Sequence, residues 1–395
     1  MSKPMHIGIA GAGIGGLAAA SLLAADGHQV TVFDQFDAPR PVGSGLVIQP
    51  VGQAVLAEVG ALDAARAMGN PISRMLGHEE RSGRRVLDVW YDRRAGGRYG
   101  LAIHRAALFQ SLLDAAQSAG ATIYAGKEVC RADGRNLYFA DGSHDGPFDL
   151  IIDSAGATSP LSPMRARPLP YGAVWGTVDW PETELPWGEL RQRYRKAARM
   201  AGVLPIGQLP GQSGRKAAIF WSLPVSAHED WRTAGLAAWT DEACTLWPAF
   251  APFAQQISDP DQMTMARYSH GTLRKPWSPG LAHIGDAAHR ASPQLGQGAN
   301  MALLDALALA RALRHADGDA ALALYARARR WHVRVYQMMS AAFTPQYQSD
   351  SRWLPAFRDN ILFPLSMIPP VPHILTALVC GTMLPPTGRL RDQRQ

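Results

Sequence analysis

Cysteine is nearly absent from this 395-residue chain, which carries only Cys130, Cys244 and Cys380. An odd, widely spaced trio argues against a disulfide framework and a cysteine-based zinc site, and points to the reducing cytoplasm. Charge is also sparse, at 18% of residues, with 39 Lys and Arg against 33 Asp and Glu. The balance of +6 suits anionic ligands and does not by itself call for nucleic acid. Long apolar runs are missing too. Met5–Ala10 is apolar but gives way to glycines at once, too soon for the apolar stretch of a signal peptide. Residues 360–388 contain no Asp, Glu, Lys or Arg, yet prolines cut them up and the longest proline-free piece, His373–Leu384, has 12 residues. A spanning helix needs ~20. This stretch reads as a tail packed over the core in preference to an apolar lid or a membrane-surface foot. No period of 20 to 50 residues marks a repeat architecture.

What is present is ample core material, 47% hydrophobic, together with 38 glycines and 29 prolines that imply many turns. The length allows two or three units at ~150 residues each. Ile7–Ala10 reads as a strand, Gly11–Gly16 as a turn, Leu17–Ala25 as a helix and Gln29–Phe33 as a second strand. Helical spacing returns over Ala106–Ala119, followed by short strands at Thr122–Tyr124, Leu137–Phe139 and Leu150–Ile152. After Pro168 the character changes to aromatic-rich strands such as Ala173–Val178 and Ala217–Trp221, the signature of an antiparallel sheet. A buried strand at Leu281–Ile284 and helices over Ala299–Leu313 and Ala320 to about Met339 follow, the last with Asp319 as its expected N-cap.

The expected fold is α/β. A Rossmann-like domain (1–73, 98–168 and 271–342) is interrupted by a mostly antiparallel β-sheet domain (74–97 and 169–270), and a helical C-terminal tail (343–395) follows.

Gly11-Ala12-Gly13-Ile14-Gly15-Gly16 fits G-x-G-x-x-G between a strand and a helix. The first glycine permits the turn, the second lets a pyrophosphate approach the backbone, and the third allows close helix–strand packing. Free N–H groups at the helix start attract the phosphate charge. Asp34 closes the second strand where an acid would bind an adenosine ribose hydroxyl, as in FAD or NAD.

A second pattern runs from Leu281 to Asn300: a strand delivers Gly285-Asp286 into a turn, and Pro293, Gly296 and Gly298 precede a long helix. This stretch resembles the flavin-proximal signature of the class A flavoprotein monooxygenases, the group of para-hydroxybenzoate hydroxylase and the ubiquinone-pathway hydroxylases. Gly43–Pro50 and His104-Arg105 are similar to the same family. The resemblance implies that Gly11, Gly13, Ile14, Gly15, Gly16 and Asp34 hold the ADP half of FAD, with Arg40 and Gly45 nearby. It further implies that Arg105 reaches the pyrophosphate or a neighbouring ribose and that Asp286 accepts from the ribitol chain. Pro293, Gly296, Gly298, Ala299 and Asn300 would lie against the isoalloxazine ring, where the helix dipole favours an anionic reduced flavin. One departure stands out. The family's Asp-Gly pair is replaced by Ala155-Gly156, and Asp153, two positions earlier, is assigned no role.

The family reaction uses NADPH or NADH to reduce the flavin and O2 to form a C4a-hydroperoxide, which passes one oxygen atom to an electron-rich substrate. The implied protein is thus an FAD-dependent monooxygenase of aromatic or other apolar substrates. Tyr171, Trp175, Phe220 and Trp221 are the candidate substrate contacts, because they fall on or beside the expected sheet. No catalytic acid or base stands out, and no metal is expected from the histidine spacing; His283 and His289 read as structural. The basic run Arg191–Arg199, partly helical in its spacing, reads as a solvated face. A flavin-dependent halogenase is the alternative within the fold, although Trp221-Ser222-Leu223-Pro224 lacks the second tryptophan of the halogenase pattern. A non-catalytic flavin-binding partner or sensor is the alternative from another class.

Overall fold

The computed structural model describes residues 3–37, 44–92, 97–388 and 390. Strand His6–Ala10 leads through the glycine turn into helix Ile14–Ala25 and back along strand Gln29–Phe33, parallel to the first. Leu150–Asp153 flanks His6–Ala10 on its other side, also parallel, with Ile7 opposite Leu150. Leu281–His283, Trp277–Ser278 and Thr122–Tyr124 complete a six-stranded sheet. The alternation of strand side chains divides this core in two. Ile7, Ile9, Val30, Val32 and Ile152 face the helices Ile14–Ala25, Arg105–Ser118 and Gly298–His315. Ala10, Phe33 and Ile151 face the opposite way, against Phe139 and Phe148.

The second layer is an eight-stranded sheet, antiparallel except where Glu189–Arg195 runs parallel to Arg74–Glu79. Its central strands are Arg167–Asp179, Lys216–Pro224 and Arg199–Gly207, and at its far edge His289–Arg290 joins from the second signature. One face packs on Val47, Tyr91 and Ala102 beside the nucleotide-binding layer. The other is covered by Trp239, Leu246, Phe250 and Phe253. The small sheet Gly45–Ile48, Gly100–His104 and Asn70–Ile72 lies between the layers.

Three local expectations need correction. Arg191, Arg193 and Arg195 belong to a strand, not to a helix-like solvated run. Distant acids set its pairing, since Arg195 meets Glu80 at 2.7 Å and Glu242 at 3.1 Å, and Arg199 also meets Glu242. The last long helix runs Gly318–Tyr347 with Asp317 as its N-cap. Asp319 sits in its first turn, where its carboxylate accepts from the Gly280 N–H at 3.3 Å. The uncharged tail divides into two parts. Leu378, Val379 and Cys380 are buried, whereas the helical arm before them exposes large apolar side chains. No single helix among the described residues is long and apolar enough to cross a membrane.

Candidate functional site

The glycine turn is built to bring something close to its backbone. Gly11 has φ +96°, and a Cβ there would lie 2.7 Å from the Ser154 carbonyl oxygen. A Cβ on Gly16 would lie 2.1 Å from the Gly11 carbonyl oxygen, so strand and helix touch through bare backbone. Around Gly13 a Cβ would meet nothing nearer than 3.9 Å, which leaves the turn open on its outer side. Ser154 clasps the turn from the neighbouring strand by donating to the Ala10 and Gly11 carbonyls at 2.9 and 2.7 Å. Asp34 accepts from the Ala12 N–H at 2.6 Å and from the Phe36 N–H at 3.0 Å, which places its carboxylate at the mouth of the turn. Ile14 begins the helix, and no side chain caps the Gly13 end, so its first N–H groups point into the open side.

The second signature meets the first directly. A Cβ on Gly15 would sit 3.4 Å from both the Ala302 Cβ and the Ile284 Cδ1, so the starts of helices Ile14–Ala25 and Gly298–His315 lie side by side. Asp286 is exposed to solvent on a loop crowded by protein atoms. Desolvation raises its carboxyl above the ordinary value, against the pull of His289, Arg105 and Arg290. Arg105 is exposed at the head of its helix, on the same side as Asp286.

Beneath the loop, Asp305 is fully buried and accepts from the Gly285 N–H at 2.9 Å, pairs with His289 Nε2 at 2.6 Å and receives Arg329 Nε at 2.7 Å. Burial alone would lift the Asp305 carboxyl, yet His289 and Arg329 outweigh it and hold the group at about 2. Arg329 also donates to the Pro386 carbonyl, tying the end of the chain to this network. Sequence reasoning missed Asp305. It sits in the middle of an ordinary helical pattern and has no local signal.

Pro293 is exposed, and Gly296 turns with φ +60°. Ala299 follows the Gly298 helix start and is partly buried. Asn300 is fully buried and accepts from the Gln49 N–H at 2.8 Å while donating to the Val47 and Gly296 carbonyls at 3.2 and 2.9 Å. It thereby bolts the strand that starts at Gly45 onto this loop. A Cβ at Gly45 would strike Ile206 and Ala218 of the large sheet, so Gly45 serves close packing of the layers. Arg40 and Gly43 lie outside the described residues.

The expected departure at Ala155 has a structural counterpart. Ala155 packs against the cluster that holds Phe33, Phe139, Phe148 and Ile151. Asp153 is fully buried and engaged by His283 Nδ1 at 2.7 Å and by the Ser159 hydroxyl at 2.7 Å. Its carboxylate is held within the fold.

The four aromatic candidates divide between the two faces of the large sheet. Trp175 and Phe220 pair across strands with ring centroids 4.5 Å apart, on the side of Val47 and Tyr91. The Trp175 indole donates to the Tyr268 hydroxyl at 3.0 Å, and burial pushes that phenol up to about 12, so it keeps its proton. Tyr171 is buried with its hydroxyl on Asp350 at 2.5 Å. Trp221 has to be withdrawn from the set: one residue along from Phe220, it points to the opposite face among Trp239 and Phe250.

The residues present suit a dinucleotide. The glycine cradle leaves room at Gly13, and a Cβ on Gly298 would meet nothing within 4 Å at the uncapped start of an 18-residue helix. In the same loop Gln294 Nε2 and Gln297 Oε1 are buried without a hydrogen-bond partner among the described residues.

Comparison with known proteins identifies the family and the fold. The model of a family described as "FAD binding domain" matches residues 5–138 and 200–339. An FAD-dependent urate hydroxylase of Klebsiella pneumoniae is 28% identical over 348 residues, covering 82% of this chain and 86% of that protein. A kynurenine 3-monooxygenase of Xanthomonas euvesicatoria pv. vesicatoria is 30% identical over 371 residues, covering 86% of this chain and 78% of its own length. Among solved structures, Klebsiella pneumoniae HpxO with FAD and uric acid superposes with a TM-score of 0.80 at 24% identity, over 98% of each chain.

Proposed function

The chain belongs to the FAD binding domain family and is an FAD-dependent monooxygenase of the class A type, and from that premise we propose its substrate class and the roles of its residues. The substrate is a small aromatic or similarly electron-rich molecule, oxygenated with O2 at the expense of NADH or NADPH. Similarity to hydroxylases named for urate and kynurenine favours this class over a halogenase or a non-catalytic flavin binder.

The observation that carries the assignment of roles is the direct packing of Gly15 against Ile284 and Ala302, which joins two signatures far apart in sequence. Gly11, Gly13, Ile14, Gly15 and Gly16 offer backbone N–H groups to the pyrophosphate, and Asp34 accepts from the adenosine ribose. Arg105 adds a fixed cation beside the phosphates. Asp286 accepts hydroxyl donors from the ribitol chain. Pro293, Gly296, Gly298, Ala299 and Asn300 shape the wall against the ring, and the helix start favours negative charge there. Bound FAD supplies the two-electron store and the oxygen-activating ring. Trp175 and Phe220, their rings tilted against each other, provide an apolar wall for the substrate, and the protonated Tyr268 hydroxyl can donate to it. Burial of this wall keeps water away from the reacting atoms.

The test is a purified flavin-loaded protein mixed rapidly with NADH or NADPH, with and without aromatics such as urate and kynurenine. Faster flavin reduction and a hydroxylated product with one of them support the reading. Bound FAD that neither pyridine nucleotide reduces overturns it.

A further inference from the structure

Of the ten large apolar side chains that stand out as exposed among the described residues, six fall in one short stretch: Trp353, Phe357, Ile361, Leu365, Ile368 and Ile374. Trp353 is 84% exposed. Trp353, Phe357, Ile361 and Leu365 recur every four residues, which places them along one face of the helical arm, and Ile368 follows in the bend at its end. The backbone is helical across Trp353–Phe357, Arg358–Leu362 and Phe363–Ser366, then bends by 101° into Val371–Cys380. The arm is firmly seated on its inner side. Arg358 is buried against the rings of Tyr194 and Tyr347, 5.2 and 4.9 Å from their centres, and donates to the Gln346 carbonyl at 2.8 Å. A docked helix that presents a continuous apolar ridge outward marks an interaction surface.

The charges around the ridge indicate what covers it. Arg352 is exposed at the head of the arm. Arg84 reaches across to donate to Asn360 Oδ1 at 3.2 Å and to the Asp359 carbonyl at 3.4 Å, and Arg81 in the same turn is 89% exposed, with its Nε 3.8 Å from the largely buried Glu80. Asp359 is the only acid between residues 351 and 388, and Arg358 Nε holds it at 2.6 Å. A two-fold contact between copies would set these arginines against one another across an uncharged ridge. A bilayer with anionic headgroups meets both features, because acyl chains receive the ridge and phosphates receive the rim.

We propose that the Trp353–Ser366 arm and the corner at Ile368 and Ile374 form a membrane-docking surface that seats the enzyme on anionic lipid without crossing the bilayer. Trp353 sits at the rim of that surface, where an indole prefers the headgroup level. The far end of the same unit touches the flavin loop, since Gln297 Nε2 donates to the Val379 carbonyl at 2.8 Å. Docking therefore positions the flavin side of the enzyme near solutes that partition into lipid.

The test is flotation of the flavin-loaded full chain with vesicles of phosphatidylcholine, alone or containing phosphatidylglycerol. Binding to the anionic vesicles is expected, and salt should weaken it. Ile361→Asp combined with Leu365→Asp should lower that binding by at least about tenfold. Arg81→Glu combined with Arg352→Glu should lower it by a similar factor, at least about tenfold. All four side chains are exposed, so flavin content and unfolding temperature should stay at the wild-type values and certify the fold. A wild-type protein that remains free of both vesicle types at low salt overturns the proposal. So does a wild-type dimer, seen by light scattering, that the Ile361→Asp and Leu365→Asp pair dissociates, since a second copy then covers the ridge.

Discussion

Asp305→Asn keeps the shape of a fully buried side chain and removes the negative charge that pairs with both His289 and Arg329. Arg329 is itself 2% exposed, so the variant leaves a guanidinium in the core without its counter-ion. Breaking a buried pair in this way costs roughly 3–5 kcal/mol. The wild-type pH profile gives an independent measure. In the folded protein the carboxyl is held at about 2, below its ordinary 3.8, so the folded state binds this proton less readily than the unfolded chain. The stabilisation is complete above pH 3.8 and is lost as pH falls toward 2, on the order of 2 kcal/mol in all. The same carboxylate accepts from the Gly285 N–H at 2.9 Å, so the loop carrying Asp286 loosens as well and flavin affinity should fall about tenfold. Denaturant unfolding of the flavin-loaded protein, paired with fluorescence titration of FAD, reads both effects. An Asp305→Asn protein with wild-type unfolding midpoint and wild-type FAD affinity would refute the reasoning.

Gly16→Ala places a Cβ 2.1 Å from the Gly11 carbonyl oxygen, a clash between backbone atoms that no rotamer relieves. The purified variant should lack the flavin absorbance band; a yellow Gly16→Ala protein would contradict the close-packing account. Trp175→Ala should raise KM for the aromatic substrate with flavin content unchanged, and steady-state kinetics tests it. Trp221→Ala, on the opposite face, should cost about 3–5 kcal/mol in denaturant unfolding. It should leave KM near the wild-type value. Burial, reinforced by Arg329, holds His332 at about 4, below its ordinary 6.5, and its ring pairs with the Gly381 carbonyl at 3.1 Å. Protonation of this ring is therefore disfavoured in the folded state, and stability declines as pH falls from 6.5 toward 4, by up to about 3 kcal/mol. His332→Gln should flatten that part of the stability profile.

Features governed by neighbours in sequence were legible in the sequence. The strand–glycine turn–helix start, Asp34 at the end of the second strand, and the Gly285-Asp286 to Asn300 pattern all obey local rules. A tight turn needs glycine, and a helix start needs free N–H groups. Gln29–Phe33 and Thr122–Tyr124 were likewise legible as strands, and the structure pairs them in the first sheet.

Features that depend on what lies opposite were decided only by the tertiary structure. Arg191, Arg193 and Arg195 form a strand because Arg74–Glu79 and Arg199–Gly207 supply its ladders and Glu80 and Glu242 neutralise its charge. Trp175 and Trp221 have the same chemistry, and a single step of register sends them to opposite faces of the sheet. Asp305 gains its importance only where Arg329 from the next helix and the Gly285 and His289 segment converge on it. The composition of residues 353–374 is apolar in any fold, but whether that ridge is covered or bare depends on which neighbours the chain brings to it. Local sequence specifies conformation residue by residue, whereas burial and pairing are properties of contacts between segments distant in the chain.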